Sequence, residues 1–265
     1  MLHVTDFTTI YLLTLIALTM CTSRQRNIFE RSHIVQTNIQ KGVKTLNDDD
    51  LNAEHLTEAP YLHFTKTPKE VEISEGNELV LKCEAIGIPP PVIEWARNDN
   101  LIHAMEESNG AEKLHNAGLS TTQYGVTVSK MVVPCIKTKN AAKYKCLASN
   151  GYQKLESGTI VVEGNVKCSQ KHSPPIINMW TDSRFERSGA TVQLFCRVYE
   201  TPRPNITWYN EENSKLNDVK KYKILSNGDL IIYDTQWEDL GVYVCIASNK
   251  YGQDRITAFF YPTEP

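Results

Sequence analysis

Apolar and polar residues alternate along several short runs of the chain. The alternation is clearest over residues 79–83 in the first half and over residues 192–196 in the second half. A period of two places every second side chain on the same face of a β-strand, so these runs predict strands with one buried face. The pattern therefore favours an all-β chain built from two similar segments.

Each segment also contains the same set of four residues. A tryptophan follows a cysteine by twelve positions, and a tyrosine stands two positions before a second cysteine; the sets are Cys83, Trp95, Tyr144, Cys146 and Cys196, Trp208, Tyr243, Cys245. In immunoglobulin-type β-sandwiches a disulfide joins the two sheets, the tryptophan packs against it, and the tyrosine hydroxyl fixes a corner. We predict two tandem immunoglobulin-like sandwiches with core tryptophans and tyrosines at these positions, and with the disulfides Cys83–Cys146 and Cys196–Cys245.

The amino-terminal region differs from the rest of the chain. Residues 10–20 are almost entirely apolar and are followed by small residues, which predicts a secretory signal peptide over 1–22. An uncleaved membrane anchor is the alternative, but the run is shorter than the roughly 20 residues that span a bilayer, and no stop-transfer flank follows it. The polar segment 23–59 is predicted to be disordered. We expect a secreted, extracellular protein without a membrane anchor.

The two domains are expected at 60–165 and 175–262, joined by a linker at 166–174. Between the tryptophan and the tyrosine, 49 positions separate the pair in domain 1 and 35 separate the pair in domain 2. Domain 1 therefore carries an insertion, which falls within residues 99–124.

Two further cysteines lie outside the sandwich pattern. Cys21 lies at the predicted signal cleavage site, so Cys135 and Cys168 are the remaining pair among six cysteines. The sandwich topology places both at the same pole of domain 1, and an oxidising compartment favours bridges. We predict a Cys135–Cys168 disulfide. Free thiols or a bond to a second chain are the alternatives, and the spacing of a zinc finger is absent.

Charge and motif content exclude several classes of function. A net charge of −3 provides no basic excess for a phosphate backbone, so nucleic acid is not an expected partner. The sequence lacks the motifs of metallopeptidases, serine hydrolases and phosphate-binding loops. We predict that the protein is not an enzyme and binds no cofactor or metal.

The sequence Asn205-Ile206-Thr207 is an acceptor for N-linked glycans. Because Ile206 and Trp208 should point inward on a strand, Asn205 should face solvent. We predict glycosylation at Asn205; an unused acceptor sequence is the alternative.

Four short strings resemble the neural/ectodermal development factors of insects, which are ecdysone-inducible. The likeness covers roughly residues 61–262, and the strings are Phe64-Thr65-Lys66-Thr67-Pro68, Asn227-Gly228-Asp229-Leu230, Trp237-Glu238-Asp239-Leu240-Gly241 and Phe259-Phe260-Tyr261-Pro262. The resemblance implies a secreted protein with two intermediate-set immunoglobulin domains. It also implies that the partner is an insulin-like peptide hormone, which the protein would sequester and so keep from its receptor.

A partner of this kind has an exposed apolar face, so its binding protein needs a matching apolar surface with a few large anchors. Two segments supply apolar residues beyond the sandwich pattern, and we predict that they border one interdomain groove: Tyr61, Leu62 and Phe64 in the first, and Ile176, Ile177, Met179 and Trp180 in the second. Burial of these residues against their own sheets is the alternative. Three consecutive apolar residues at 259–261 also predict at least one outward side chain.

A different class of function uses the same features. A secreted adhesion or matrix module would employ exposed apolar strands to contact a receptor or to form a homodimer. Binding of an insulin-like peptide separates the first interpretation from the second.

Overall fold

A computed structural model describes residues 55–68, 72–73, 79–102, 109–132, 142–158, 160–162, 174–199 and 204–264. The strands of the first half are β1 (His55–Leu56), β2 (Tyr61–Lys66), β3 (Glu72–Ile73), β4 (Leu79–Ile88), β5 (Val92–Arg97), β6 (Asn100–Leu101), β7 (Ser120–Thr121), β8 (Tyr124–Val132), β9 (Ala142–Ser149), β10 (Lys154–Glu156) and β11 (Ile160–Val162). Helix α1 (Gly110–His115) lies between β6 and β7.

The strands of the second half are β12 (Met179–Arg187), β13 (Val192–Leu194), β14 (Cys196–Arg197), β15 (Asn205–Tyr209), β16 (Tyr222–Ile224), β17 (Leu230–Ile232), β18 (Gly241–Asn249) and β19 (Gly252–Thr263). A 3₁₀ helix, Trp237–Asp239, precedes β18. None of the helices in the described part of the chain is long and apolar enough to cross a membrane.

Each half forms a two-layered sandwich closed by a disulfide. In domain 1 the Cys83–Cys146 bridge joins β4 to β9, and in domain 2 the Cys196–Cys245 bridge joins β14 to β18. Trp95 and Trp208 are buried beside these bridges, as are Tyr144 and Tyr243. Alternation places these side chains inward because successive residues of a strand point to opposite faces.

One sheet runs through both domains. Among the described residues it has nine strands, seven of them in the order β15-β18-β19-β12-β8-β4-β2, with β14 beside β12 and β3 beside β4. The junction is the antiparallel pairing of β8 from domain 1 with β12 from domain 2, in which Tyr124 opposes Phe185 and Ser129 opposes Met179. We call this the shared sheet, and its backbone hydrogen bonds connect the two domains directly.

Domain 2 also completes the core of domain 1. Met179 and Phe195 are fully buried in the cluster that contains the Cys83–Cys146 bridge. The Ile93 amide donates a hydrogen bond to the Met179 sulfur at 3.4 Å. The first sandwich is therefore filled by side chains from the second.

The insertion of domain 1 docks on domain 2. It forms helix α1, and the Asn116 side chain that follows the helix donates to the Thr191 carbonyl at 2.8 Å and accepts from the Thr191 amide at 2.7 Å. The Glu112 carboxylate accepts from the backbone amide of Gln193 at 2.8 Å, and the ring centroids of His115 and Tyr233 are 4.9 Å apart in an edge-on arrangement. These contacts satisfy the backbone amide of Gln193 in strand β13 and both backbone groups of Thr191 just before it, on the side where β13 would otherwise form an open sheet edge.

Several predicted features lie outside the described residues. These are the signal peptide, residues 23–54 of the polar extension, nearly all of the linker, and both Cys135 and Cys168. The prediction of disorder is wrong for His55 and Leu56, because they pair in parallel with Ser120 and Thr121 as strand β1. The Cys135–Cys168 bridge stays a prediction.

Candidate binding surface

Four aromatic rings form a continuous row across the domain junction. Tyr124, Phe185 and Tyr261 are direct partners on the neighbouring strands β8, β12 and β19 of the shared sheet. The ring centroids of Tyr124 and Phe185 are 5.3 Å apart, those of Phe185 and Tyr261 are 5.7 Å apart, and Trp237 continues the row 5.7 Å from Tyr261. We call these four residues the aromatic row.

Exposure rises along the row from domain 1 to domain 2. Tyr124 is buried, Phe185 and Tyr261 are half-buried, and Trp237 is 55% exposed. Strand β19 explains the orientation of its member, since Phe260 points into the core while Phe259 and Tyr261 point outward. The prediction that residues 259–261 place a side chain on the outer face is confirmed.

A buried ion cluster fixes the backbone of the row. The Arg184 guanidinium lies between Glu112 and Glu186, and all three side chains are at most 1% exposed. One nitrogen of the guanidinium donates to the carbonyl oxygens of Tyr124 at 3.2 Å and Phe185 at 2.7 Å. Two members of the row are thus held by the same arginine.

The carboxylates of this cluster are themselves well satisfied. Glu186 accepts backbone hydrogen bonds from Thr122 at 2.7 Å and Gln123 at 3.0 Å, immediately before Tyr124. Burial raises the pKa of the Glu112 carboxyl, and the positive charge of Arg184 opposes that rise. The cluster links helix α1, strand β12 and the start of β8, which sets the geometry of the surface above them.

The corner of domain 2 presents Trp237 to solvent. The Tyr243 hydroxyl donates to the Asp239 carbonyl oxygen at 3.0 Å, and the Asp239 carboxylate accepts from the backbone amide of Gln236 at 2.7 Å. Lys221 contacts the same carboxylate at 2.6 Å. Burial is the main cause that raises the pKa of Tyr243, which moves the pKa of a hydroxyl that is already protonated at neutral pH still further from neutrality.

We expect Tyr243→Phe to lower the free energy of unfolding by about 1–2 kcal/mol, because the Asp239 carbonyl loses its buried donor. Urea unfolding followed by tryptophan fluorescence measures this change. Tyr144→Phe is the matched control in domain 1, since the Tyr144 hydroxyl has no hydrogen-bond partner among the described residues and should be dispensable. Equal losses for both variants would contradict the role of the domain 2 corner.

Most of the predicted hormone contacts lie elsewhere. Leu62 and Met179 are buried in the core of domain 1 and Ile177 in that of domain 2, so the prediction of a surface role is wrong for these three. Each belongs to the inward face of its segment, where burial in a core removes it from contact with any partner.

The remaining predicted contacts do not share a groove. Tyr61 and Phe64 are half-buried on edge strand β2, while Ile176 and Trp180 are half-buried at the start of the second domain. Strands β4 and β8 separate β2 from β12 within the shared sheet, so a single groove bordered by both segments is not formed. Trp180 instead packs against the core of domain 2, with the Lys130 ammonium 5.8 Å from its ring.

Asn205 lies on β15, the edge strand of the shared sheet, and is exposed. Its position is compatible with an attached glycan. Glycosylation there stays a prediction.

Sequence reasoning missed three members of the aromatic row. Trp237 could have been singled out, since the sandwich pattern requires only Trp208 among the three tryptophans of domain 2. Tyr124 and Phe185 carry no such signal, because only the pairing of β8 with β12 brings them together.

Comparison with known proteins agrees with this architecture. The sequence profile of the immunoglobulin I-set domain matches residues 62–162 and 180–260. Zwei Ig domain protein zig-3 of Caenorhabditis elegans is 37% identical over 218 residues, which cover 81% of this chain and 86% of that protein. Immunoglobulin domains are binding modules, so the prediction that the chain is not an enzyme is confirmed.

Neural/ectodermal development factor IMP-L2 of Drosophila melanogaster is 29% identical over 212 residues, which cover 77% of this chain and 78% of that protein. The crystal structure of IMP-L2 superimposes with a TM-score of 0.60 and 28% sequence identity, covering 78% of this chain and 96% of that one. The chain therefore belongs to the immunoglobulin I-set family, as a protein of two such domains that is similar to IMP-L2 in sequence and in structure.

Proposed function

We propose that this protein is secreted and sequesters an insulin-like peptide on the aromatic row. The observation that carries the proposal is a line of four aromatic side chains that crosses the domain junction and ends in the exposed Trp237. The resemblance of the sequence to insect neural/ectodermal development factors supplies the class of partner. Capture of the hormone would lower its free concentration at the receptor.

The chemistry of the row suits a compact helical hormone with an apolar receptor-binding face. Tryptophan and tyrosine dominate the binding energy of protein interfaces, because each buries a large apolar area and offers a polar group at its edge. Phe259 and Val242 are half-buried direct partners on strands β19 and β18, and they extend the apolar area beside the row. Exposed Gln236 and Glu238 flank Trp237 and supply a polar rim.

Rigidity also favours this surface. Three of the four rings sit on paired strands, and the Arg184 cluster holds two of them from the opposite side of β12. A surface that is already ordered loses less conformational entropy on binding than a flexible one. The row is therefore organised before the hormone arrives.

We expect Trp237→Ala to weaken binding of a purified insulin-like peptide by about 30-fold or more, which corresponds to the loss of a dominant anchor residue. Isothermal titration calorimetry of the full chain measures the effect, with one-to-one stoichiometry and submicromolar affinity expected for the unmodified protein. Tyr251→Ala is the matched control, since Tyr251 is 41% exposed in domain 2 but is not part of the row.

Two results would contradict the proposal. Absence of binding heat with any insulin-like peptide would exclude this class of hormone as the partner. Equal losses of affinity for Trp237→Ala and Tyr251→Ala would exclude the aromatic row as the binding site. Self-association without hormone binding would favour the adhesion function instead.

A further inference from the structure

The second sheet of domain 1 contains strands β10, β9, β5 and β6 in this order, with β11 beside β9, and its outer face carries an open groove. The groove crosses strands β10, β9, β5 and β6 and has a volume of about 710 Å³. Val92, Ala96 and Leu147 form an apolar floor, and Leu101 lies beside Ala96 on the neighbouring strand β6. Leu101 is 51% exposed, so this face offers apolar area to a partner.

Helix α1 forms one wall of the groove and carries an exposed leucine beside it. Gly110 and Lys113 line the groove, and Leu114 shares their helix face because residues three and four apart lie on the same side. Leu114 is 76% exposed. The opposite face of α1 is occupied, since Glu112 is buried against domain 2.

The outer face of this sheet, together with helix α1, has the features of a self-complementary surface. A projecting apolar side chain stands next to an apolar groove, and two copies related by a two-fold axis can exchange such a projection and groove reciprocally. The charges of the lining are balanced, with three lysines facing three carboxylates: Lys113, Lys145, Lys154, Glu94, Asp99 and Glu156. Two copies of a charge-balanced rim repel each other less than two copies of a rim with charges of one sign.

We propose that this groove is a dimer interface in which Leu114 of each copy enters the groove of the other. The outer faces of two packed sheets point in opposite directions, so the interface and the aromatic row lie on opposite sides of domain 1. Dimerisation and hormone binding are therefore independent, and the proposal does not rest on the function proposed above.

The size of the face sets the expected strength. The four strands contain 3, 8, 6 and 2 residues. They cover roughly 300 Å² in projection, given spacings of about 4.8 Å between strands and 3.3 Å along them. Stable interfaces bury about 800 Å² on each partner. We expect a weak dimer that forms at micromolar concentrations and dissociates on dilution.

Sedimentation equilibrium of the full chain, from low to high micromolar concentration and without hormone, tests the proposal. The unmodified protein should show a reversible monomer–dimer equilibrium, and Leu114→Glu should raise the dimer dissociation constant about tenfold or more, because the carboxylate would be desolvated in an apolar groove. Val219→Glu is the matched control, since Val219 is an 85% exposed aliphatic residue of domain 2.

Leu101→Glu provides a second position on the same face and should act in the same direction as Leu114→Glu. Both leucines are exposed, so thermal unfolding of the variants should match the unmodified protein. A monomer at every concentration would overturn the proposal. So would a dimer that persists in both leucine variants, or one that is lost equally in Val219→Glu.

Discussion

Replacement of Arg184 by methionine is expected to lower the free energy of unfolding by about 3–5 kcal/mol. Glu112 and Glu186 are buried on either side of the guanidinium, and without it two carboxylates would face each other with no compensating charge. The carbonyl oxygens of Tyr124 and Phe185 would lose the same donor. Because the lost ion pairs and hydrogen bonds involve residues of both domains, the whole protein should be destabilised.

Urea unfolding of the full chain, followed by circular dichroism and tryptophan fluorescence, measures this effect. Arg184→Lys retains the charge but cannot donate to four acceptors in a fixed plane, so its loss should be smaller than that of the methionine variant. Arg255→Met is the matched control, because Arg255 is exposed on β19 and its replacement should change stability by no more than about 0.5 kcal/mol. A loss for Arg184→Met as small as that of the control would refute the structural role of the cluster.

A fragment restricted to residues 60–165 is expected not to fold cooperatively. It lacks Met179 and Phe195, which fill the core of domain 1, and removal of each large core side chain costs about 2–5 kcal/mol. Strand β8 would also lose β12 as its neighbour and become an open edge. Together these losses are comparable with the roughly 5–15 kcal/mol that stabilises a typical domain.

Near-ultraviolet circular dichroism and the dispersion of amide proton resonances distinguish the outcomes for this fragment. The full chain under the same conditions is the control and should show fixed tertiary structure. A fragment with a dispersed spectrum and a sharp unfolding transition would mean that the first sandwich is self-sufficient. In that case the contribution of domain 2 to its core would be dispensable.

The spacing of cysteine, tryptophan and tyrosine predicts the two sandwiches well, because a buried disulfide and its flanking aromatic residues tolerate few other arrangements. Alternation predicts which residues of β19 face the core, and Phe260 is buried while Tyr261 is not. Both signals are local to one strand or to one pair of strands. The spacing and the alternation therefore give no information about contacts between the domains.

The relation between the domains depends on contacts that no local pattern encodes. Met179 is apolar and inward-facing, but its pattern does not indicate that the core it enters belongs to domain 1. The insertion is visible in the residue count, whereas the docking of Asn116 on Thr191 depends on where the second domain lies. The predicted hormone contacts at Leu62 and Ile177 failed for a related reason, since apolar character alone does not separate a core residue from an exposed anchor.

The pairing of β8 with β12 has a consequence for the peptide that connects the domains. In most tandem repeats the connecting residues determine how far and at what angle one module swings relative to the next. Here main-chain hydrogen bonds between the modules already set that angle. The interdomain angle therefore does not depend on the connecting residues. Changes in their length or composition should leave the surface formed by both modules unchanged.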